Sequence, residues 1–163
     1  MHEESPVLES TTLSQLQLKN RTVVAPMTRV STNGDGVPTA EMERYYRRYA
    51  EGGFGLTITE GVYTDRRFAQ AYPNQSGLTN EPQQQGWQRI ASATHEAGGR
   101  IVLQLMHAGA LSQHLTNTRS ASAIQPMREM LAGYSAKQGR FPLPQAMNQA
   151  EIDEVIAGFV ETA

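Results

Sequence analysis

The sequence contains no cysteine among its 163 residues. That absence excludes disulfides, thiolate catalysis and Cys-based zinc or iron–sulfur sites, and it leaves the redox compartment undetermined. No apolar run approaches the roughly 20 residues that a membrane helix needs. The opening Met1-His2-Glu3-Glu4-Ser5 lacks the basic flank and apolar stretch of a secretory signal. A cytoplasmic location without a membrane partner is therefore expected. An excess of charge of one sign is missing as well: 14 basic and 16 acidic residues, net −2, are dispersed along the chain. No electrostatic footprint for nucleic acid stands out. A hydrophobic fraction of 39% suits one globular domain with a core of ordinary size, and neither a repeat nor a low-complexity block interrupts it.

Hydrophobic periodicity organises what is present. Residues 13–18 (Leu-Ser-Gln-Leu-Gln-Leu) alternate ahead of a turn at Asn20, which places a small β-element at about 8–20. Residues 22–27 (Thr-Val-Val-Ala-Pro-Met) read as a buried parallel strand that ends at Pro26, which cannot donate to a ladder. Met42, Tyr45, Tyr46 and Tyr49 recur at helical spacing up to Gly52-Gly53. Residues 54–59 form a second strand, followed by Glu60-Gly61 and a polar stretch without a period. Asn80 and Gln83 have capping-box spacing, and Pro82 suits a first turn. Trp87, Ile90, Ala91 and Thr94 continue that helix to Gly98-Gly99. Residues 100–106 make a third strand, a long loop spans about 110–145, and Asn148 with Glu151 caps a last helix. Its apolar stripe is Ile152, Val155, Ile156, Phe159 and Val160.

The order β, α, β, α, β, loop, α calls for parallel strands with helices outside. An open doubly wound sheet and part of a (β/α)₈ barrel both fit. Gly52-Gly53-Phe54-Gly55 precedes the second strand and lacks the G-x-G-x-x-G spacing of a dinucleotide site, but periodicity alone does not choose.

The segment Leu18-Lys19-Asn20-Arg21-Thr22-Val23-Val24-Ala25-Pro26-Met27-Thr28-Arg29 resembles the opening strand of the Old Yellow Enzyme family of NADH:flavin oxidoreductases and ene-reductases. Two more stretches match in order: Gly55-Leu56-Thr57-Ile58-Thr59-Glu60-Gly61 and Ile101-Val102-Leu103-Gln104-Leu105-Met106-His107-Ala108-Gly109. The resemblance covers nearly the whole chain. It implies an α/β fold, the N-terminal portion of a TIM (β/α)₈ barrel with about three β/α units over 1–163, that binds FMN non-covalently. By the same resemblance, Ala25, Pro26, Met27 and Thr28 lie along the isoalloxazine edge. Thr28 donates to the flavin O4 region and tunes the ring, Gly61 lets the backbone approach it, and Gln104 bonds its pyrimidine end. The implied reaction carries hydride from NADH or NADPH through FMN to an alkene conjugated to a carbonyl or nitro group, a small-molecule substrate.

Each residue has a plainer reading. Gln104 sits in an apolar strand, where an amide without partners costs on the order of 1–3 kcal/mol, so either core backbone or flavin serves it. Thr28 is also suited to satisfying a strand end, and Gly61 to an ordinary turn. Met106 corresponds to a variable substrate-facing position in the family but also reads as core packing. His107, like His95 and His114, lacks a second ligand or a carboxylate in view and reads as structural, and no metal site is expected. The tyrosine stripe reads as packing. A complete barrel takes about 250 residues, so this chain is expected to be an N-terminal fragment, inactive alone, that needs the C-terminal half with its carbonyl-binding pair, proton donor and phosphate loops. The alternative is a stand-alone, non-enzymatic half-barrel that pairs with another chain; exposed parallel edges would also suit a homo-oligomer.

Overall fold

The structure is a computed structural model that describes residues 5–135 and 137–163. Most of the polar opening read as lacking a signal, residues 1–4, lies outside the described residues. β1 (Thr11–Leu13) and β2 (Leu16–Leu18) form an antiparallel hairpin that turns at Ser14, φ 55°. The expected turn at Asn20 is a second one: the chain bends at 19–21, where the Asn20 side-chain oxygen accepts from Thr22 N at 3.1 Å. The Asn20 amide donates to the Gly53 carbonyl at 2.7 Å and anchors the entry to the main sheet.

The main sheet has three strands, β3 (Val23–Val24), β4 (Leu56–Tyr63) and β5 (Arg100–Met106), adjacent in that order. Both pairings are parallel, with Val23 opposite Leu56 and Leu56 opposite Arg100. β3 is shorter than the 22–27 expectation because the ladder ends before Pro26, which has no N–H to offer. β4 is longer than expected at its exit: it runs through Glu60-Gly61, with a register irregularity between Ile58 and Gly61. Such a bulge re-aims the side chains beside it.

α1 (Ala40–Glu51) begins where the Thr39 side chain accepts from Met42 N at 3.3 Å, and it ends at Gly52. Gly53 follows at φ 96°, a left-handed geometry suited to glycine. α2 (Glu81–Glu96) begins where the Asn80 side chain accepts from Gln83 N at 3.0 Å. The expected reciprocal bond from Gln83 is replaced by bonds to Thr79 N, the Asp35 carbonyl and the Tyr63 hydroxyl. Both helices pack on one face of the sheet through Met42, Tyr46, Val62, Trp87 and Ile90, with Ile101 and Leu103 against that cluster. Full burial of one such aliphatic side chain contributes about 1.5–3 kcal/mol. Strand periodicity sends the alternate residues of β5 the other way: Arg100, Val102 and Gln104 are exposed.

Inside the long connection β6 (Arg119–Ser120) pairs in parallel with β7 (Gln145–Ala146). α3 (Gln149–Thr162) then opens on a complete capping box between Asn148 and Glu151. Arg119 bonds the same Glu151 at 2.8 Å and holds its carboxyl below the usual range, with the Asn148 N–H adding to the effect. The apolar stripe of α3 is formed, yet Ile156 is 56% and Val160 71% exposed. Val155 and Phe159 are half-buried, so the stripe is covered along one side only.

These two environments predict opposite outcomes in urea unfolding of the 163-residue chain. Ile90→Ala, at a site 1% exposed, lowers stability by about 2–5 kcal/mol. Ile156→Ala changes it by less than about 0.5 kcal/mol; a loss as large as that of Ile90→Ala would show a packed stripe.

Candidate functional site at the strand exits

The C-terminal ends of the three parallel strands bring together residues far apart in sequence, and a buried carboxylate joins them. Glu60, 1% exposed, accepts through Oε2 from the backbone N–H groups of Arg29 at 3.0 Å and Val30 at 3.1 Å. The Tyr46 hydroxyl lies 3.5 Å from Oε1 and accepts from Glu60 N at 3.0 Å. Burial pushes the Glu60 carboxyl above its ordinary range, against the two N–H groups and Tyr46, which favour the charged form. Burial, and then Glu60, push the Tyr46 hydroxyl up in turn. Val30 is left-handed at φ 50°, a strain of about 1–3 kcal/mol for a residue of this kind. Two hydrogen bonds to the carboxyl, at about 0.5–1.5 kcal/mol each, are of the same size.

From that clamp the expected site residues can be placed. Thr28 precedes Arg29 and is half-buried, while Ala25, Pro26 and Met27 are exposed on the way to it. Gly61 follows Glu60 and stands in register with Gln104 on β5. The Gly61 carbonyl accepts from the buried Gln75 amide at 2.7 Å, and the Gln75 side-chain oxygen accepts from Ala71 N at 2.7 Å. A Cβ on Gly61 would stand 2.6 Å from Met106 Sδ, so Gly61 opens onto the face that carries Met106 and the thioether lies over it. Gln104 is exposed on this face. Its N–H donates to Thr59 Oγ1 at 3.1 Å, but its side chain has no partner among the described residues. The expectation of a buried amide is thus corrected, because Gln104 lies on the face turned away from α1 and α2.

Gly61 and Gln104 thus stand side by side on one face, and the loop that carries Thr28 is held to the β4 exit by Glu60. An amide side chain beside a position without a side chain is an arrangement able to meet the polar edge of a flat ring. An apolar groove of about 320 Å³, lined by Leu78, Trp87, Ile101 and Leu103, lies on the opposite, helix-bearing side. Among the described residues no cluster of three or more His, Cys, Asp or Glu is placed to hold a metal.

Sequence reasoning missed Glu60, Gln75 and Asp65. A carboxylate ending an apolar strand was the available signal for the first, since a buried charge requires partners. Asp65 corrects the reading of His107, for the two form a half-buried pair with His107 Nε2 3.6 Å from Asp65 Oδ2. His107 Nδ1 accepts from Gly109 N at 3.1 Å, while Asp65 Oδ1 accepts from the N–H groups of Arg67, Phe68 and Ala69. Burial lowers the His107 pKa, and Asp65 opposes that shift. Each partner braces a strand-exit loop, which makes this pair architectural.

The model of the NADH:flavin oxidoreductase / NADH oxidase family matches residues 7–163. A 12-oxophytodienoate reductase 7 of Oryza sativa subsp. japonica is 26% identical, over 98% of this chain and 41% of its own length. A probable flavin mononucleotide-dependent alkene reductase of Leishmania infantum is 31% identical, over 83% of this chain and 38% of its own. The structure of morphinone reductase in complex with tetrahydroNAD superposes with a TM-score of 0.84 at 27% identity, covering 98% of this chain and 45% of the other. This chain thus spans less than half the length of these relatives, and its three parallel strands are a portion of their (β/α)₈ barrel.

The His107–Asp65 pair makes a testable demand on pH. With its folded pKa below the ordinary value of about 6.5, the neutral imidazole stabilises the fold fully above that value. The contribution is lost as pH falls from there through the folded pKa. An NMR titration should place the His107 midpoint below the ordinary value, and His107→Gln should flatten stability across that window. A midpoint above it would mean that attraction to Asp65 outweighs burial.

Proposed function

Because this chain belongs to the NADH:flavin oxidoreductase / NADH oxidase family, we propose that its strand-exit face holds one edge of FMN. The whole protein would be an oxidoreductase that uses NADH or NADPH to saturate alkenes conjugated to carbonyl or nitro groups. The register of Gly61 with the exposed Gln104 on one open face, beside the exit loop that carries Thr28, supports this reading. The residues suit the group. The Gln104 amide offers a donor and an acceptor to the pyrimidine end. Gly61 presents bare backbone beneath an adaptable Met106 thioether, and the Thr28 hydroxyl is free to donate to the O4 region. Ala25, Pro26 and Met27 line the edge of the ring.

FMN, when bound, supplies the hydride relay between nicotinamide and alkene. This chain's residues orient and tune. A bond from Thr28 to O4 strengthens as negative charge builds there on reduction, and so raises the potential. Gln104 fixes the ring in its plane. The substrate class is supported by the names of the relatives, a 12-oxophytodienoate reductase and an alkene reductase. The carbonyl-binding pair, proton donor and phosphate loops of the family correspond to later barrel units, so the 163 residues alone are proposed to lack turnover. The rest of the barrel is the partner that would cover the open face, and a cytoplasmic location belongs to the same proposal. A non-enzymatic half-barrel that pairs with another chain is the alternative, and it predicts no flavin binding at this face.

Two measurements test the reading. Quenching of flavin fluorescence should show weak FMN binding to the chain that Gln104→Ala weakens by about 0.5–1.5 kcal/mol, the usual net contribution of one hydrogen bond. Anaerobic stopped-flow with FMN, NADPH or NADH and cyclohexenone should show no turnover above the free-flavin background. Turnover near that of a full-length relative would place a complete active site within residues 1–163 and overturn this assignment.

A further inference from the structure

We propose that Glu60 is the positioning residue of this site: its carboxylate clamps Arg29 and Val30 and thereby sets Thr28 against the flavin, a role that rests on the flavin reading above. A carboxylate is out of place among its neighbours here. Glu60 is 1% exposed, and its partner Tyr46 and near neighbour Val62 belong to an otherwise apolar cluster. A buried carboxyl is costly unless hydrogen bonds replace its lost hydration. Here one oxygen receives two consecutive backbone N–H groups, at 3.0 and 3.1 Å, from a loop 30 residues upstream.

Those two bonds dictate the local chain path. Only the φ and ψ of Arg29 lie between the two N–H groups, so accepting both on one oxygen fixes the backbone at Arg29. Val30 follows at φ 50°, a conformation that a β-branched side chain disfavours strongly. Thr28, one residue before the clamp, inherits its direction from it. Glu60 is tied to α1 as well, its backbone N–H donating to Tyr46 Oη at 3.0 Å and its Oε1 lying 3.5 Å from the same hydroxyl, and the next residue, Gly61, is in register with Gln104 on β5. One buried residue thus joins the loop that carries Thr28 to the strand pair that carries Gly61 and Gln104. Glu60 does not reach the open face itself, so it acts through Thr28.

The test compares Glu60→Gln, whose carbonyl oxygen still accepts both N–H groups, with Glu60→Met, which has similar length and no comparable acceptor. FMN is titrated anaerobically, oxidised and then reduced, into the full 163-residue chain, and the amide signals of Thr28, Gly61 and Gln104 are followed by NMR. The unmodified chain and Glu60→Gln should bind reduced FMN more tightly than oxidised FMN. Glu60→Met should erode that preference by about threefold or more, the scale of one ordinary hydrogen bond. A general loss of stability would weaken both redox forms alike and leave the preference unchanged. An unchanged preference in Glu60→Met, where Thr28 does respond to FMN in the unmodified chain, overturns the role of Glu60 alone. No response at Thr28, Gly61 or Gln104 in the unmodified chain overturns the flavin reading beneath it as well. If Glu60→Met does not fold, hydrogen exchange of the unmodified chain decides. The Arg29 and Val30 amides should be protected although they lie in a loop, and exchange as fast as in the exposed residues 33–35 would refute the clamp.

Discussion

A carboxylate withdrawn from water at the end of β4 sets the conditions that the rest of this structure meets. Removing an ionised Glu from solvent costs several kcal/mol unless hydrogen bonds replace the lost hydration. Glu60 obtains that replacement from two backbone N–H groups and a tyrosine hydroxyl. Those partners come from the loop after β3 and from α1, so satisfying one side chain joins three elements at the exit of the sheet. Gln75 and Gln83 act in the same manner one layer out. Both are almost fully buried, and their amides tie the Gly61 carbonyl to the loop at 71–72 and the start of α2 to Asp35 and Tyr63. The apolar cluster between sheet and helices supplies the bulk of burial, whereas these polar groups supply position.

That division explains how far the sequence could be read. Helical spacing of Met42, Tyr45, Tyr46 and Tyr49, and of Trp87, Ile90 and Thr94, located α1 and α2, because one apolar face of each meets the sheet. β5 was equally legible as residues 100–106. The β4 exit was misread for a nonlocal reason: Glu60-Gly61 resembles a strand end locally, and the groups that let Glu60 remain in the strand lie 30 and 31 residues upstream. The stripe on α3 was legible as a stripe, but periodicity cannot say what covers it. At the site, the identities of Thr28, Gly61 and Gln104 came from resemblance to the family. The pairing of Gly61 with Gln104 came from strand register, and the exposure of Gln104 from knowing which face of β5 meets the helices.

The open face and the family membership together give a physical picture of the division of labour along the barrel. Residues 7–163 match the family model and supply strands whose helix side is already packed. Their other side presents Val102 at 40% exposure and, on the same face, the exposed Gln104 amide, which has no protein partner among the described residues. An apolar position next to such an amide suits the interior of a closed barrel, where the proposal above places a flat heteroaromatic ring. Ring contacts without a phosphate anchor give orientation more than affinity, since a dianionic phosphate contributes the strongest charge-assisted bonds.

The claim that the strand-exit face holds the flavin is tested most directly by a crystal structure of the protein with FMN bound. The account predicts the pyrimidine edge within hydrogen-bond distance of the Gln104 amide and the O4 region facing Thr28, with the ring passing over Gly61. A flavin seated instead in the apolar groove of Leu78, Trp87, Ile101 and Leu103, on the helix side of the sheet, would contradict it.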